Sequence, residues 1–157
     1  MLTPAACERE IRSLHQFFQA WYHGELPRDR FDRFADALAP SFSRITPEGT
    51  VQTRGTVLAG VREEYDRQAT KITVQAVQMI DHSNQRALVR YEEQQTPGTD
   101  RLSTVLFGPR PDHGESENKG KSERPQPEEP SHKKTEKTTP PPKQERPVWL
   151  YLQETSL

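Results

Sequence analysis

Two glutamates are the candidates for acid–base chemistry in this sequence. Glu93 ends an alternating apolar stripe in residues 86–94, and Glu154 ends a similar stripe in residues 147–155. If these segments are strands separated by one further strand, the two carboxylates lie at the same end of the sheet, roughly 10 Å apart. Burial at the rim of an apolar cavity would raise a carboxyl pKa and suit it to act as a base.

A structural role for both glutamates is the alternative. Each carboxylate could reach solvent at its strand end, or could pair with Arg90, Arg101 or another arginine of the folded part of the chain. The two roles differ in the pKa that they require, and the sequence leaves both open.

Aromatic side chains near both ends of the chain are candidates for a ligand pocket. Three lie in or beside the predicted strands, and two close the first predicted helix. Aromatics at these spacings also form ordinary cores and dimer interfaces, so this role is open as well. The predicted pocket-lining residues are Trp21, Tyr22, Tyr91, Trp149, Tyr151 and Gln153.

The sequence does not predict a metal site, a reactive cysteine or a cofactor-binding motif. His15 and His23 are eight residues apart without a cysteine or carboxylate at ligand spacing, so no metal site is predicted. Cys7 has no adjacent histidine and is expected to be an inert thiol in a reducing compartment. No phosphate-binding glycine loop or nucleophile elbow is present, and we expect no cofactor.

The chain contains two different compositions. Residues 109–147 include none of the nine hydrophobic residue types, but nine of the 14 prolines and six of the lysines. A segment without apolar surface cannot offset its ordering entropy, so this Lys/Pro/Glu-rich insert is predicted to be disordered. We expect a single domain over residues 5–157, with the insert in its last hairpin. The loop-closure cost of so long an insert is only about 2 kcal/mol.

The remaining elements give the order helix, helix, short hairpin, helix and four late strands. Helix 1 is predicted to stop at Gly24, and helix 2 to run from Pro27 to a point before Pro40, with Leu38 on its buried face. The apolar alternation slips between Ala76 and Val77, which predicts a β-bulge. Early helices followed by an antiparallel meander indicate the α+β class.

Four segments carry a resemblance to a known superfamily: HQFFQAWYHGELP, FSRITPEGTV, RYEEQQ and WLYLQETSL. They resemble a small SnoaL-like group within the nuclear-transport-factor-like superfamily, over residues 8–108 and 147–157. The resemblance implies a cone-shaped α+β barrel, with three N-terminal helices packed on a strongly bent mixed sheet. That superfamily includes ketosteroid isomerase, scytalone dehydratase, polyketide cyclases and the kinase association domain. Neither the isomerase residues nor the dehydratase residues have matching positions here.

The resemblance implies a small-molecule pocket in the cone, with an apolar ligand and a possible isomerase, cyclase or dehydratase reaction. The alternative is a non-catalytic dimerisation or association module that displays the insert. Whether the protein is an enzyme is undecided by its residues. A formal net charge of −1 gives no field toward nucleic acid or membranes, so neither is an expected partner. Late strands that are apolar on both faces predict a homodimer, and a cytoplasmic location is expected.

Overall fold

The described part of the computed structural model, residues 2–111 and 146–157, combines α-helices of 4 to 19 residues with one six-stranded sheet. Three α-helices come before the four long strands of the meander, as the element order predicted. A 3₁₀ turn, Arg28–Phe31, precedes the second helix. The helices are α1 Pro4–Tyr22, α2 Asp32–Ala35 and α3 Arg54–Glu63, and the strands are β1 Leu38–Ile45, β2 Val51–Thr53, β3 Lys71–His82, β4 Ala87–Thr96, β5 Arg101–Gly108 and β6 Val148–Ser156.

Local signals explain both ends of α1. Pro4 occupies the first turn, and the Thr3 hydroxyl accepts a hydrogen bond from the Ala6 amide at 3.1 Å. The helix stops before Gly24, whose φ of +68° favours glycine. A Cβ at this position would lie 2.6 Å from side-chain atoms of Asp66, so the tight packing also requires glycine.

The second helix is shorter than the sequence predicted. It ends at Ala35, and Leu38 begins strand β1 instead of extending the helical face. Leu38 pairs with Trp149 of β6, so contact with a strand from the far end of the chain decides its conformation. Pro40 favours the same outcome, because the residue before a proline is driven toward extended backbone.

The sheet is mixed and open, with the strand order β2-β1-β6-β5-β4-β3. Strands β3 to β6 form the antiparallel meander, and β6 is parallel to β1. Strand β6 is therefore central, between β1 and β5. The six described strands do not close into a complete barrel, because β2 and β3 are the two ends of their order.

The strands that flank the predicted insert, β5 and β6, are antiparallel neighbours. Residues 112–145, which contain most of that insert, lie outside the described residues, so its predicted disorder stays a prediction.

Bulges in β3 and β6 change which residues share a face. In β3 the register shifts between Gln75 and Gln78, and Ala76 has a φ of +53°, which confirms the predicted bulge. In β6, Trp149 pairs with Phe107 and Tyr151 pairs with Leu106, so that Leu150 has no partner on β5. The sequence did not predict this second bulge.

The strands of the meander present two different faces. The inner face packs toward the helices and is almost fully buried, whereas the outer face is half-buried or exposed. On β4 and β5 the inner face comprises Val89, Tyr91, Glu93, Ser103, Val105 and Phe107, and the outer face comprises Leu88, Arg90, Glu92, Leu102, Thr104 and Leu106. None of the helices in residues 2–111 and 146–157 is both long and apolar enough to cross a bilayer.

Candidate functional site

A cavity of about 100 Å³ lies between the inner face of the sheet and the helices. Its walls are mainly apolar, and its polar side chains come from α1, β1, β4, β5 and β6. The apolar walls include Leu14, Phe18, Phe34, Leu38, Phe42, Val57, Val61, Ile72, Trp149 and Leu152, and the polar side chains are His15, Tyr22, Arg44, Tyr91, Glu93, Gln95, Arg101 and Glu154.

A buried histidine–glutamate pair forms one part of the polar wall. The His15 Nδ1 atom lies 2.7 Å from the Ile11 carbonyl oxygen, which can only accept, so Nδ1 carries a proton. The Nε2 atom lies 3.1 Å from the Glu93 Oε2 atom. One further proton is needed for that hydrogen bond, so His15 and Glu93 share it and have a combined charge of zero.

The pKa of Glu93 is lowered, contrary to the expectation that burial would raise it. Burial alone would raise this pKa, but hydrogen bonds from His15 and Gln95, with the positive charges of His15 and Arg101, lower it from 4.5 to about 2. Glu93 is therefore held as a carboxylate at neutral pH. A carboxylate with so low a pKa is a weak proton acceptor.

Two arginines hold the second glutamate. The Arg44 Nε atom donates to Glu154 Oε1, and Arg101 Nη1 donates to Glu154 Oε2 at 2.9 Å. Arg44 also donates from Nη1 to the Gln52 side chain at 3.2 Å. Glu154 is thus paired with arginines, which is the structural role that the sequence left open. Arg101 is one of the two partners that the sequence analysis named.

Two tyrosine hydroxyls complete the polar wall. Burial, and then the negative charge of Glu93, raise the pKa of Tyr22 to about 12. Burial and the carboxylates of Glu93 and Glu154 raise the pKa of Tyr91 well above its usual value. The Ser103 hydroxyl counteracts the rise at Tyr91 slightly, although its geometry falls short of a hydrogen bond. Both phenols stay protonated and are available as donors, without a hydrogen-bonded partner among the described residues.

A wider groove of about 300 Å³ adjoins the cavity. Four polar residues line both spaces, and these are Tyr22, Arg44, Gln95 and Arg101. The groove wall is otherwise formed largely by side chains of α3 and the segment that follows it, including Thr56, Glu64 and Gln68. The arginines therefore lie where a molecule would pass from the polar groove into the apolar cavity.

Solved structures with the same architecture identify the fold. An NTF2-like protein of unknown function from Pseudomonas aeruginosa matches with a TM-score of 0.71 and 23% identity, over 97% of this chain and 98% of that chain. The chain has the NTF2-like cone fold. No protein-family model matches the sequence, and no curated protein matches it.

Two further structures with the cone fold carry functional names of their own. A protein from Thiobacillus denitrificans, provisionally named as a calcium/calmodulin-dependent protein kinase type II association domain, matches at TM-score 0.57 and 14% identity, over 96% of this chain and 94% of that chain. A provisionally named scytalone dehydratase from Novosphingobium aromaticivorans matches at TM-score 0.52 and 7% identity, over 96% and 83%. At these identities the similarity extends to the fold alone.

Five of the eight predicted site residues line the cavity of the cone. Both predicted catalytic residues, Glu93 and Glu154, are among them, with three aromatics. Trp149 reaches the cavity because the bulge at Leu150 places it on the same face as Glu154. The aromatics are Tyr22, Tyr91 and Trp149.

The other three predicted pocket residues lie elsewhere, which corrects the prediction. Trp21 packs in the core against Phe31, with its indole Nε1 donating to the Val61 carbonyl at 2.8 Å. Tyr151 and Gln153 lie on the outer face and contact each other, Tyr151 donating its hydroxyl hydrogen to Gln153 Oε1 at 3.4 Å. Alternation from Trp149 had grouped these two residues with it, but the bulge reverses the alternation.

His15, Arg44 and Gln95 are parts of the site that were not predicted from the sequence. His15 had one usable signal, since it is four residues after Ile11 and three before Phe18, on the buried face of α1. A histidine in that stripe requires a buried partner. Arg44 and Gln95 gave no such signal, because their role depends on strands that are distant in sequence.

One further buried carboxylate is structural. Glu10 is 3% exposed, accepts two hydrogen bonds from Arg33, and accepts another from the Trp149 indole at 3.1 Å. It does not line the cavity, and it fixes α1 to β6. Burial, and then the nearby Glu10 charge, raise the pKa of Cys7 to about 11, so this thiol is unreactive as expected.

Proposed function

We propose that this protein binds a small molecule whose apolar end occupies the inner cavity and whose polar part extends into the groove. The observation that carries the proposal is the one-sided distribution of polar groups around an apolar chamber. Such chambers with a few convergent polar groups are typical of ligand sites. The hydroxyls of Tyr22 and Tyr91, which line the chamber and have no hydrogen-bond partner among the described residues, are consistent with a ligand as their partner.

Cavity size limits the ligand. An apolar protein cavity of about 150 Å³ holds a benzene ring, so the inner chamber, at about 100 Å³, holds a group of about four non-hydrogen atoms. A short branched aliphatic chain fits this space, whereas a fused-ring molecule does not fit without movement of the walls. The proposed ligand is therefore a short-chain compound, smaller than a polyketide or a steroid.

Acid–base turnover with Glu93 as the base is not part of this proposal. A base with a pKa of about 2 has little tendency to remove a proton at neutral pH. Glu154 is held by two guanidinium groups and has the same kind of anchoring role. The supported role of both carboxylates is to orient the donors that surround them.

Filling the cavity tests the binding proposal. Leu152→Phe adds volume at the inner face, and Leu106→Phe makes the same change at the half-exposed outer face. We expect short-chain compounds to shift the NMR signals of Tyr91 and the Trp149 indole in the parent protein and the Leu106→Phe variant only. Thermal melts of both variants control for overpacking, which costs about 1–3 kcal/mol. Equal binding by a folded Leu152→Phe variant would contradict the proposal.

We also propose a homodimer through the outer face of the meander. Leu88, Leu106 and Tyr151 form one continuous row across β4, β5 and β6, and all three are half-buried in the monomer. A fully solvated antiparallel face would carry polar side chains in such a row. Sedimentation should give a dimer that Leu106→Lys dissociates, and a stable monomer at micromolar concentration would contradict it.

A further inference from the structure

We propose that the ligand is a short-chain monocarboxylate, with its carboxylate bound by Arg44 and Arg101 where the groove meets the cavity. This inference rests on the proposed function, because it names the chemical class of the molecule in that cavity. It follows from three independent features: the donors of the arginines, the charge of the polar wall, and the position of that wall between two unlike spaces.

The two guanidinium groups keep unused donors. Each guanidinium carries about five N–H donors in a planar fork that matches a carboxylate. Within the described residues, Arg101 donates one hydrogen bond and Arg44 donates two. Both arginines line the cavity and the groove, as does Tyr22. A carboxylate is a small group that can accept hydrogen bonds from several such donors at once.

The polar wall of the cavity carries one excess positive charge. His15 and Glu93 share a proton and contribute zero, whichever atom holds it. Arg44 and Arg101 contribute +2 and Glu154 contributes −1, so the total charge of the wall is +1. A monoanion neutralises this charge. A phosphate monoester, which carries nearly two negative charges at neutral pH, would overcompensate it beside two carboxylates.

The order of the two spaces sets the orientation of the ligand. The inner chamber is apolar and admits only a few carbon atoms, and the arginines are at its groove-facing side. Glu64 is the only further charged residue on the described groove wall, and its carboxylate accepts a hydrogen bond from Gln68 at 2.6 Å. The aliphatic chain therefore points inward, and the carboxylate stays at the junction.

The test compares 3-methylbutanoate with 3-methylbutanamide, which has nearly the same shape but no charge. Affinities are measured at pH 7 by isothermal titration and by shifts of inner-face NMR signals. We expect the carboxylate to bind at least about tenfold more tightly, because hydrogen bonds to charged groups are stronger than neutral ones. Acetate through hexanoate, each with its amide, then map the depth of the chamber.

Three variants assign the preference to the arginines. Arg101→Gln should reduce carboxylate affinity to that of the amide. Glu154→Gln should raise carboxylate affinity severalfold, since it frees donors on both arginines and increases the wall charge. Arg90→Gln, on the outer face where Arg90 contacts Gln78, should change neither affinity. If Arg101→Gln does not fold, the gain expected in Glu154→Gln still tests the assignment.

The possible failures are distinguishable. If the amide binds in the cavity as tightly as the acid, the carboxylate proposal is overturned and the proposed function stands. If the acid is preferred equally in the parent, Arg101→Gln and Glu154→Gln proteins, its assignment to these arginines is overturned. If neither compound shifts any inner-face signal of the folded protein, the binding function fails, and the carboxylate proposal fails with it.

Discussion

Glu92 and Glu93 are neighbours in β4, yet they lie in opposite environments. Glu93, on the inner face, is 6% exposed and its carboxylate is held by His15 and Gln95. Glu92, on the outer face, is half-buried and accepts one hydrogen bond from Gln75 at 3.1 Å. The same residue type is therefore part of a buried charged wall at one position and part of a solvated surface at the next.

The same contrast recurs for other residue types. Arg101 lines the cavity and pairs with buried Glu154, whereas Arg90 donates to Gln78 on the outer face. Tyrosines also occur on both faces. The alternation of a strand thus decides whether a side chain contributes to the site, and each outer-face residue is a matched control for its inner-face counterpart.

Strand β6 lies between β1 and β5, so its removal should have the largest effect on the stability of the fold. Truncation after Pro147 removes the central strand, the pairing partner of β1 and β5, and buried Trp149. We expect loss of cooperative unfolding, because β1 and β5 each lose one of their two pairing strands and the core loses large side chains. Urea and thermal unfolding measured by circular dichroism check this result.

A deletion elsewhere provides the control for that truncation. Replacing residues 112–145 by Asn-Gly removes three times as much chain, but a stretch without hydrophobic residues. We expect the variant to fold, with a gain of up to about 2 kcal/mol from the shorter loop. If the protein truncated after Pro147 folded and the variant without residues 112–145 did not, the core role assigned to β6 and the dispensable role assigned to residues 112–145 would both be wrong.

Removing the Glu93 carboxylate should be the largest single-residue effect. Glu93→Ala leaves His15 without its buried partner, and breaking such a pair costs about 3–5 kcal/mol. Glu92→Ala, one residue away on the outer face, should change the free energy of unfolding by about 0.5 kcal/mol or less. The double variant His15→Gln, Glu93→Gln should lose less free energy of unfolding than the two single variants lose together, as expected for coupled residues.

Acid should weaken the same interaction. The pKa of Glu93 in the fold, about 2, lies below its ordinary value of 4.5, so the carboxylate stabilises the protein above about pH 4.5. That stabilisation, about 3 kcal/mol, is lost as the pH falls from about 4.5 through about 2. Urea unfolding at several pH values should show this slope in the parent protein and a smaller slope in Glu93→Gln. Equal slopes in both proteins would assign acid sensitivity to other groups.

A hydroxyl deletion should have the smallest effect, and only on binding. Tyr22→Phe removes a donor at the junction of groove and cavity. It should weaken the binding of 3-methylbutanoate about fivefold, or by about 1 kcal/mol. Tyr151→Phe removes an outer-face hydroxyl and should leave the affinity unchanged. If the two substitutions changed the affinity equally, the ligand would not be bound in the cavity, or it would not contact Tyr22.

The sequence predicted most of the fold, because the signals for it are local. Gly24 marked the end of α1, and the bulge near Ala76 was visible because apolar residues changed from one alternate position to the other. The bulge at Leu150 was invisible for a physical reason. Residues 148–152 are apolar at both sets of alternate positions, so a shift from one face to the other leaves no change in the sequence pattern.

The site was predicted less completely, because its partners are distant in sequence. Glu93 and Glu154 were predicted from strand alternation, but the direction in which the pKa of Glu93 shifts depends on His15, 78 residues away. Arg44 meets Glu154 across 110 residues. Such pairings follow from the parallel contact of β1 with β6, which the order of elements did not specify.

The location of a bound short-chain carboxylate tests the central claim most directly. With methyl-labelled 3-methylbutanoate at saturating concentration, nuclear Overhauser effects report which side chains lie close to the ligand. We predict contacts from the ligand methyl groups to Phe18, Phe34 and Leu152 on the cavity wall, and none to Leu106 or Tyr151. Contacts to the outer-face pair, with none to the cavity wall, would contradict the assignment of the inner face as the ligand site.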